Sequence, residues 1–87
     1  MKKAPSDGWA VVLWRGVGGQ YAPYKLIMRG TEEKMARLYV AAFEHALEVF
    51  GQNRRKQGDA ILWVSDGVRY KMAPLKDEYL PKLGFSQ

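Results

Sequence analysis

The chain contains no cysteine. Disulfides and thiolate metal centres are thereby excluded, and the fold must be held by packing and hydrogen bonding alone. Histidine is nearly absent as well: His45 is the only one. No apolar run approaches the roughly 18 residues that a membrane-spanning helix requires. The first residues, Met1 to Asp7, include Lys2 and Lys3 but no long apolar stretch and no small-residue cleavage site, so they do not read as a secretory signal. A cytoplasmic protein with no membrane partner is the expectation. Internal repeats and low-complexity segments are also lacking.

The same scarcity extends to catalytic equipment. Proton transfer, nucleophilic attack and metal binding need side chains that converge. Glu44, His45 and Glu48 fall close together on an apparent helix, but three ligands on one helix without a second cluster read better as a solvated polar face. Ser6, Ser65 and Ser86 sit in tails or a turn, outside any nucleophile-elbow pattern. Asp59, Asp66 and Asp77 stand apart from one another. Gly16-Val17-Gly18-Gly19 hints at a phosphate loop, yet it lacks the spacing and the Lys-Ser/Thr ending of one and joins two strands. The expectation is a protein that is not an enzyme, with no catalytic residue, no metal and no cofactor.

What is present is apolar and basic. At 87 residues the chain fits a single domain over 1–87. Apolar residues make up 47% of it, too many for a disordered segment. Fourteen Lys and Arg against nine Asp and Glu give a formal charge of +5. Such a balance suits acidic protein surfaces or polyanions, and equally serves simple solubility.

Read along the chain, residues 1–7 form a flexible arm. Trp9 to Trp14 is an apolar run rich in Val and Trp, which suits a strand. A glycine turn follows, then a second strand from Tyr21 to Arg29 in which Tyr24, Leu26 and Met28 share one face and Lys25, Ile27 and Arg29 the other. Pro23 marks an edge or the strand's start. Thr31 caps a helix running from Glu32 to about Phe50 and stopped by Gly51. Its apolar stripe is Met35, Leu38, Tyr39, Ala42, Phe43, Ala46, Leu47 and Phe50. Residues 52–59 have no apolar side chain and read as an exposed basic loop. Ala60 to Ser65 is a third strand. Asp66-Gly67 signals a type I′ hairpin turn, and Val68 to Met72 returns as the fourth strand. Leu75 to Leu80 reads as one or two helical turns. The expected fold is α+β with element order β-β-α-β-β: a four-stranded antiparallel sheet, one long amphipathic helix packed on one face, and a short C-terminal helical turn.

One helix covers one side of a sheet. If Tyr24, Leu26, Met28, Val68, Tyr70 and Met72 pack beneath it, then Lys25, Arg29, Arg69 and Lys71 share the opposite side. The first and third strands are apolar on both faces. Some of Trp9, Val11, Leu13, Trp14, Ile27, Leu62, Trp63 and Val64 must therefore join those cations, unless the C-terminal segment with Leu75, Tyr79, Leu80, Leu83 and Phe85 folds back over them. An open face mixing Trp with Arg and Lys is the kind of surface that carries interfaces. The expected partner-binding set is Trp9, Trp14, Lys25, Arg29, Trp63, Arg69 and Lys71, with Arg54, Arg55 and Lys56 as an electrostatic rim.

The order of a hairpin (Trp9–Arg29), a helix (Thr31–Phe50) and a second hairpin (Ala60–Met72) in a short cysteine-free chain resembles small phage-encoded inhibitors, including anti-CRISPR proteins. The resemblance implies a protein without an active site that occupies a surface of a host protein or ribonucleoprotein complex. The alternative partner is DNA or RNA, with Trp stacking on bases and Arg and Lys on phosphates. A homodimer burying the apolar part of the same face is compatible with either.

Overall fold

A computed structural model describes residues 8–50 and 52–85, with the side chains of 48–50 left out. The arm expected over 1–7 and the expected helix stop at Gly51 lie outside the described residues. The elements are β1 (Trp9–Val17), β2 (Gln20–Gly30), α1 (Glu33–Phe50), β3 (Gln52–Gln57), β4 (Ala60–Ser65) and β5 (Val68–Lys76). Two 3-10 turns follow, Asp77–Tyr79 and Pro81–Leu83.

The class is α+β, with one antiparallel sheet and one helix, but the sheet has five strands rather than four. The additional strand is β3, inside the segment expected to be a loop. Every residue of β3 is exposed, so no hydrophobic alternation announces it. It holds its place by pairing with β4, from Gln57↔Ala60 at the turn to Gln52↔Val64. Gly58, with φ +64°, takes the first central position of that turn, where a type II′ hairpin needs positive φ. Asp66 and Gly67 both have positive φ (54° and 79°), as a type I′ turn demands.

The strand order is β2-β1-β5-β4-β3. The chain therefore leaves β2 at one edge, crosses a face of the sheet as α1, and re-enters at the opposite edge as β3. Beneath the helix, Val11, Ala36, Val40, Leu47, Ile61, Trp63 and Met72 form one buried cluster. The helix buries the line Ala36, Val40, Leu47, with Phe43 half-buried. Of the stripe expected to face the sheet, Met35, Leu38, Tyr39, Ala42 and Ala46 are instead exposed. The apolar arc is wider than the sheet requires, and its other flank meets the sheet.

A second cluster lies on the other side of the sheet. Ala10, Val12 and Leu80 are fully buried there, with Trp14, Leu26, Leu75 and Phe85 packed against them. The C-terminal segment does fold back, as a hook. Leu83 and Phe85 each donate a backbone hydrogen bond to the Leu80 carbonyl (3.0 and 3.1 Å), and Gly84 makes the reversal with φ +92°. The hook is tied to the sheet at Asp77. Its amide donates to the Gly8 carbonyl at 2.9 Å, and a side chain on Gly8 would collide with its carboxylate. Among the described residues, no helix is long and apolar enough to cross a membrane.

The turn between β3 and β4 is pinned to the helix by Asp59, whose carboxylate lies 2.6 Å from the Arg37 guanidinium; Arg37 also meets Glu33 one turn away. The hydrogen bond from Arg37 holds the Asp59 carboxyl below its ordinary value.

Leu80 fills the centre of the second cluster, so Leu80→Ala should lower unfolding free energy by about 2–5 kcal/mol in a urea titration. Because the Asp59 pKa is lowered on folding, its contribution is present above the unfolded value of about 3.9 and lost as pH falls through the folded one. A carboxyl titration followed by NMR should place Asp59 below that reference, and Arg37→Gln should return it there.

Candidate functional site

Cross-strand partners share a face of the sheet, so register decides which side chains can act together. On β1, Trp9, Val11 and Leu13 face the helix, and Ala10, Val12 and Trp14 face away. Opposite the latter, β5 presents Leu75, Ala73 and Lys71, followed by Arg69. Next to these, β4 offers Leu62 beside Lys71 and Val64 beside Arg69, and β3 places Arg55 beside Leu62. On β2, Tyr21 pairs with Gly16 and so joins the same side.

The outward side thus divides into two halves. One half is sealed by the hook around Leu80. The other carries Trp14, Tyr21, Arg55, Leu62, Val64, Arg69 and Lys71. Lys71 Nζ lies 4.5 Å from the Trp14 ring centroid and 5.5 Å from that of Tyr21. The Arg69 guanidinium lies 5.1 Å from the Tyr21 ring. Gly16 makes this possible: a Cβ there would sit 2.9 Å from the Arg69 guanidinium, which occupies the space a side chain would fill. Leu62 is only 5% exposed although it faces outward, because its cross-strand neighbours are Arg55 and Lys71, whose aliphatic stems can cover it. A depression of about 450 Å³ opens between these strands, with Tyr21, Arg55, Leu62, Val64 and Arg69 among its walls.

The electrostatics are one-sided. The five strands carry Arg15, Lys25, Arg29, Arg54, Arg55, Lys56, Arg69, Lys71 and Lys76 and not a single Asp or Glu. On the open half, Arg55, Arg69 and Lys71 therefore have no acid beside them on any strand. Their positions against aromatic rings hold them in place by interactions worth about 0.5–1 kcal/mol each at exposed sites.

Four of the expected partner-binding residues meet here: Trp14, Arg55, Arg69 and Lys71. The others are placed elsewhere, each for a definite reason. Trp63 is buried under the helix, stacked on Tyr70 at 5.6 Å and tilted against Phe43 at 5.3 Å. Trp9 packs on the same helix-covered cluster, below the Arg37 guanidinium. Arg29 does face the outward side, but its Nε donates to Asp77 Oδ1 at 3.0 Å and its Nη2 to the other oxygen, so it anchors the hook. Lys25 changes sides. Register shifts in β2 add Ile27 and Tyr24 as extra residues, which pairs Met28 with Val11 but Leu26 with Val12 and Lys25 with Leu13. Leu26 accordingly lies in the second cluster, not beneath the helix. Tyr24 is exposed, with the Arg15 guanidinium 4.1 Å from its ring. Arg54 and Lys56 turn toward the helix, where Arg54 donates to the Glu44 carbonyl (3.4 Å) and Lys56 lies 3.9 Å from the Glu44 carboxylate.

Tyr21 was not among the expected residues. The signal for it was the turn at Gly18-Gly19: a two-residue hairpin loop pairs Val17 with Gln20, and counting back sets Tyr21 opposite Gly16, on the side of Trp14. Among the described residues, no three His, Asp or Glu side chains are grouped to hold a metal ion. Set against models of known families, curated proteins and solved structures, the chain matches none.

Gly16→Val should displace Arg69 from Tyr21 at little cost in stability, since the atoms in the way are the end of a flexible side chain. In NMR spectra, the Arg69 side-chain protons should lose the ring-current shift that the wild-type stack gives them, while the melting temperature stays within a few degrees, about the effect of 1 kcal/mol.

Proposed function

We propose that this chain is a non-enzymatic protein-binding module that docks an acidic surface of a larger protein or ribonucleoprotein through the open half of its sheet. Phage and mobile-element inhibitors of the anti-CRISPR type act on host machines in this manner. One observation carries the reading: Arg55, Arg69 and Lys71 form a cationic layer on strands that contain no acid, with Arg69 and Lys71 set against the Tyr21 and Trp14 rings. A preset layer of cations costs little ordering on binding and steers an acidic partner into place. The aromatic rings serve as platforms for the protein's own cations, which suits recognition of carboxylates over stacking of bases.

DNA or RNA is the second reading. It is favoured by the depression beside Tyr21, which puts an aromatic ring next to Arg55 and Arg69 as single-strand binders do.

The variant Arg55→Ser/Arg69→Ala/Lys71→Ala alters only side chains that are exposed or half-exposed, so it should fold. Affinity capture from host lysate after nuclease treatment should recover a defined protein with the wild type and lose it with the triple variant. Retention by the variant would remove this face as the site. Loss of every partner on nuclease treatment, with oligonucleotide affinity falling steeply as salt rises, would establish the second reading instead.

A further inference from the structure

The large apolar side chains left in solvent lie mainly on the helix. Met35 is 51% exposed, Leu38 52% and Tyr39 40%, and Ala42 and Ala46 continue the line. At about 100° per residue, these five sit beside the buried line Ala36, Val40, Leu47, so the apolar arc of α1 spans roughly 200°, well beyond the little over 100° that one packed face uses. We infer that the second stripe is the interface of a homodimer in which two α1 helices pack antiparallel about a two-fold axis.

The order of residues along the stripe selects a second copy as its occupant. The bulky members, Met35, Leu38 and Tyr39, belong to the N-terminal turns, and the small ones, Ala42 and Ala46, to the C-terminal turns. Such a stripe fits itself when one copy is reversed. Met35 then lies opposite Ala46 of the second copy and Tyr39 opposite Ala42, so each large side chain enters the space above a small one, as an isologous contact requires. A parallel pair would set large on large and leave gaps between the alanines.

Charge points the same way. No charged side chain lies within the stripe, and the cationic open half faces away from the helix. Helix-to-helix pairing keeps the two cationic faces on opposite outer sides, whereas pairing through the sheets would oppose cation to cation. A standard interface buries about 800 Å² per partner, and a stripe of roughly three turns on one helix offers less, so the dimer belongs to the weak class.

The absence of cysteine makes the test clean. Sedimentation of the wild type from about 5 µM to about 1 mM should show a monomer passing to a dimer, with dissociation on the order of tens of micromolar. Leu38→Glu should stay monomeric throughout with an unchanged circular dichroism spectrum. In the inferred register, Ala42→Cys lies near the two-fold axis, offset by about 4–5 Å along the helix, and should oxidise to a disulfide-linked dimer. Ala46→Cys would face its own copy about 16 Å away along the axis and should not. A wild type that is monomeric at the highest concentration overturns the inference. Cross-linking by both cysteine variants, which a parallel pair predicts, overturns it also, as does a wild-type dimer that neither variant links.

Discussion

Val11 and Val12 are neighbours in β1 and point to opposite sides of the sheet, yet neither is reached by solvent. That pair sets the constraint on the whole molecule. A strand apolar on both faces is at home only in the middle of a sheet that is covered twice, and a chain with one helix has material for one cover. The second cover is the hook after β5. Leu80 is as fully buried as the valines, and the hook is held by the Asp77 amide on Gly8 and by the Arg29 guanidinium on the Asp77 carboxylate. The hook is short, so it seals only half of that side. The position of the candidate site follows from where the hook runs out.

On the uncovered half the protein uses a different cover. Leu62 and Trp14 face outward but are screened by their neighbours: Arg55 and Lys71 flank Leu62, and the Lys71 ammonium sits over Trp14. Long basic side chains are good at this, because their stems bury apolar surface while their charged ends remain in water. The consequence is a surface whose outermost layer is cationic rather than apolar. With every acid confined to helix, turns and termini, nothing on the strands neutralises that layer. A structural solution to an exposed Leu and Trp thereby becomes a field that an acidic partner can sense at a distance.

How much of this was legible in the sequence depends on which physical signal each element relied on. The hairpins and the helix announced themselves through glycine turns, the Asp66-Gly67 pair and a 3.6-residue period. β3 did not, because an edge strand with both faces in solvent needs no apolar residue; only Gly58-Asp59, a two-residue turn signal preceding a clear strand, betrayed it. The facing of Trp14, Arg69 and Lys71 followed from simple alternation. The facing of Lys25 and Leu26 could not, since each register shift in β2 reverses the parity of what lies beyond it, and nothing in Tyr24 or Ile27 marks them as the extra residues. The split of Arg54, Arg55 and Lys56 between the two sides was hidden for the same reason: alternation has meaning only once the segment is known to be a strand. The roles of Trp9 and Trp63 turned on which parity of β1 and β4 meets the helix, a choice that strands apolar on both faces leave open.

The helix posed the converse problem. Its apolar arc is so wide that periodicity marks a helix without marking the flank that packs. Ala36 and Val40, the residues that do touch the sheet, are no more apolar than Met35 and Leu38, which do not. Size settles the matter. Next to the sheet, Trp63, Met72 and Phe43 already fill the layer, and small residues let the helix approach; the larger Met35, Leu38 and Tyr39 would hold it off. Bulky side chains on the outer flank are then a cost in exposed apolar area that packing against this sheet does nothing to relieve. A fold that screens an outward Leu and Trp with Arg and Lys stems on one side, yet leaves Met, Leu and Tyr bare on the other, treats its two sides differently. Cations suit a surface that must attract an unlike partner. A bare stripe graded from large to small suits one that meets its own kind.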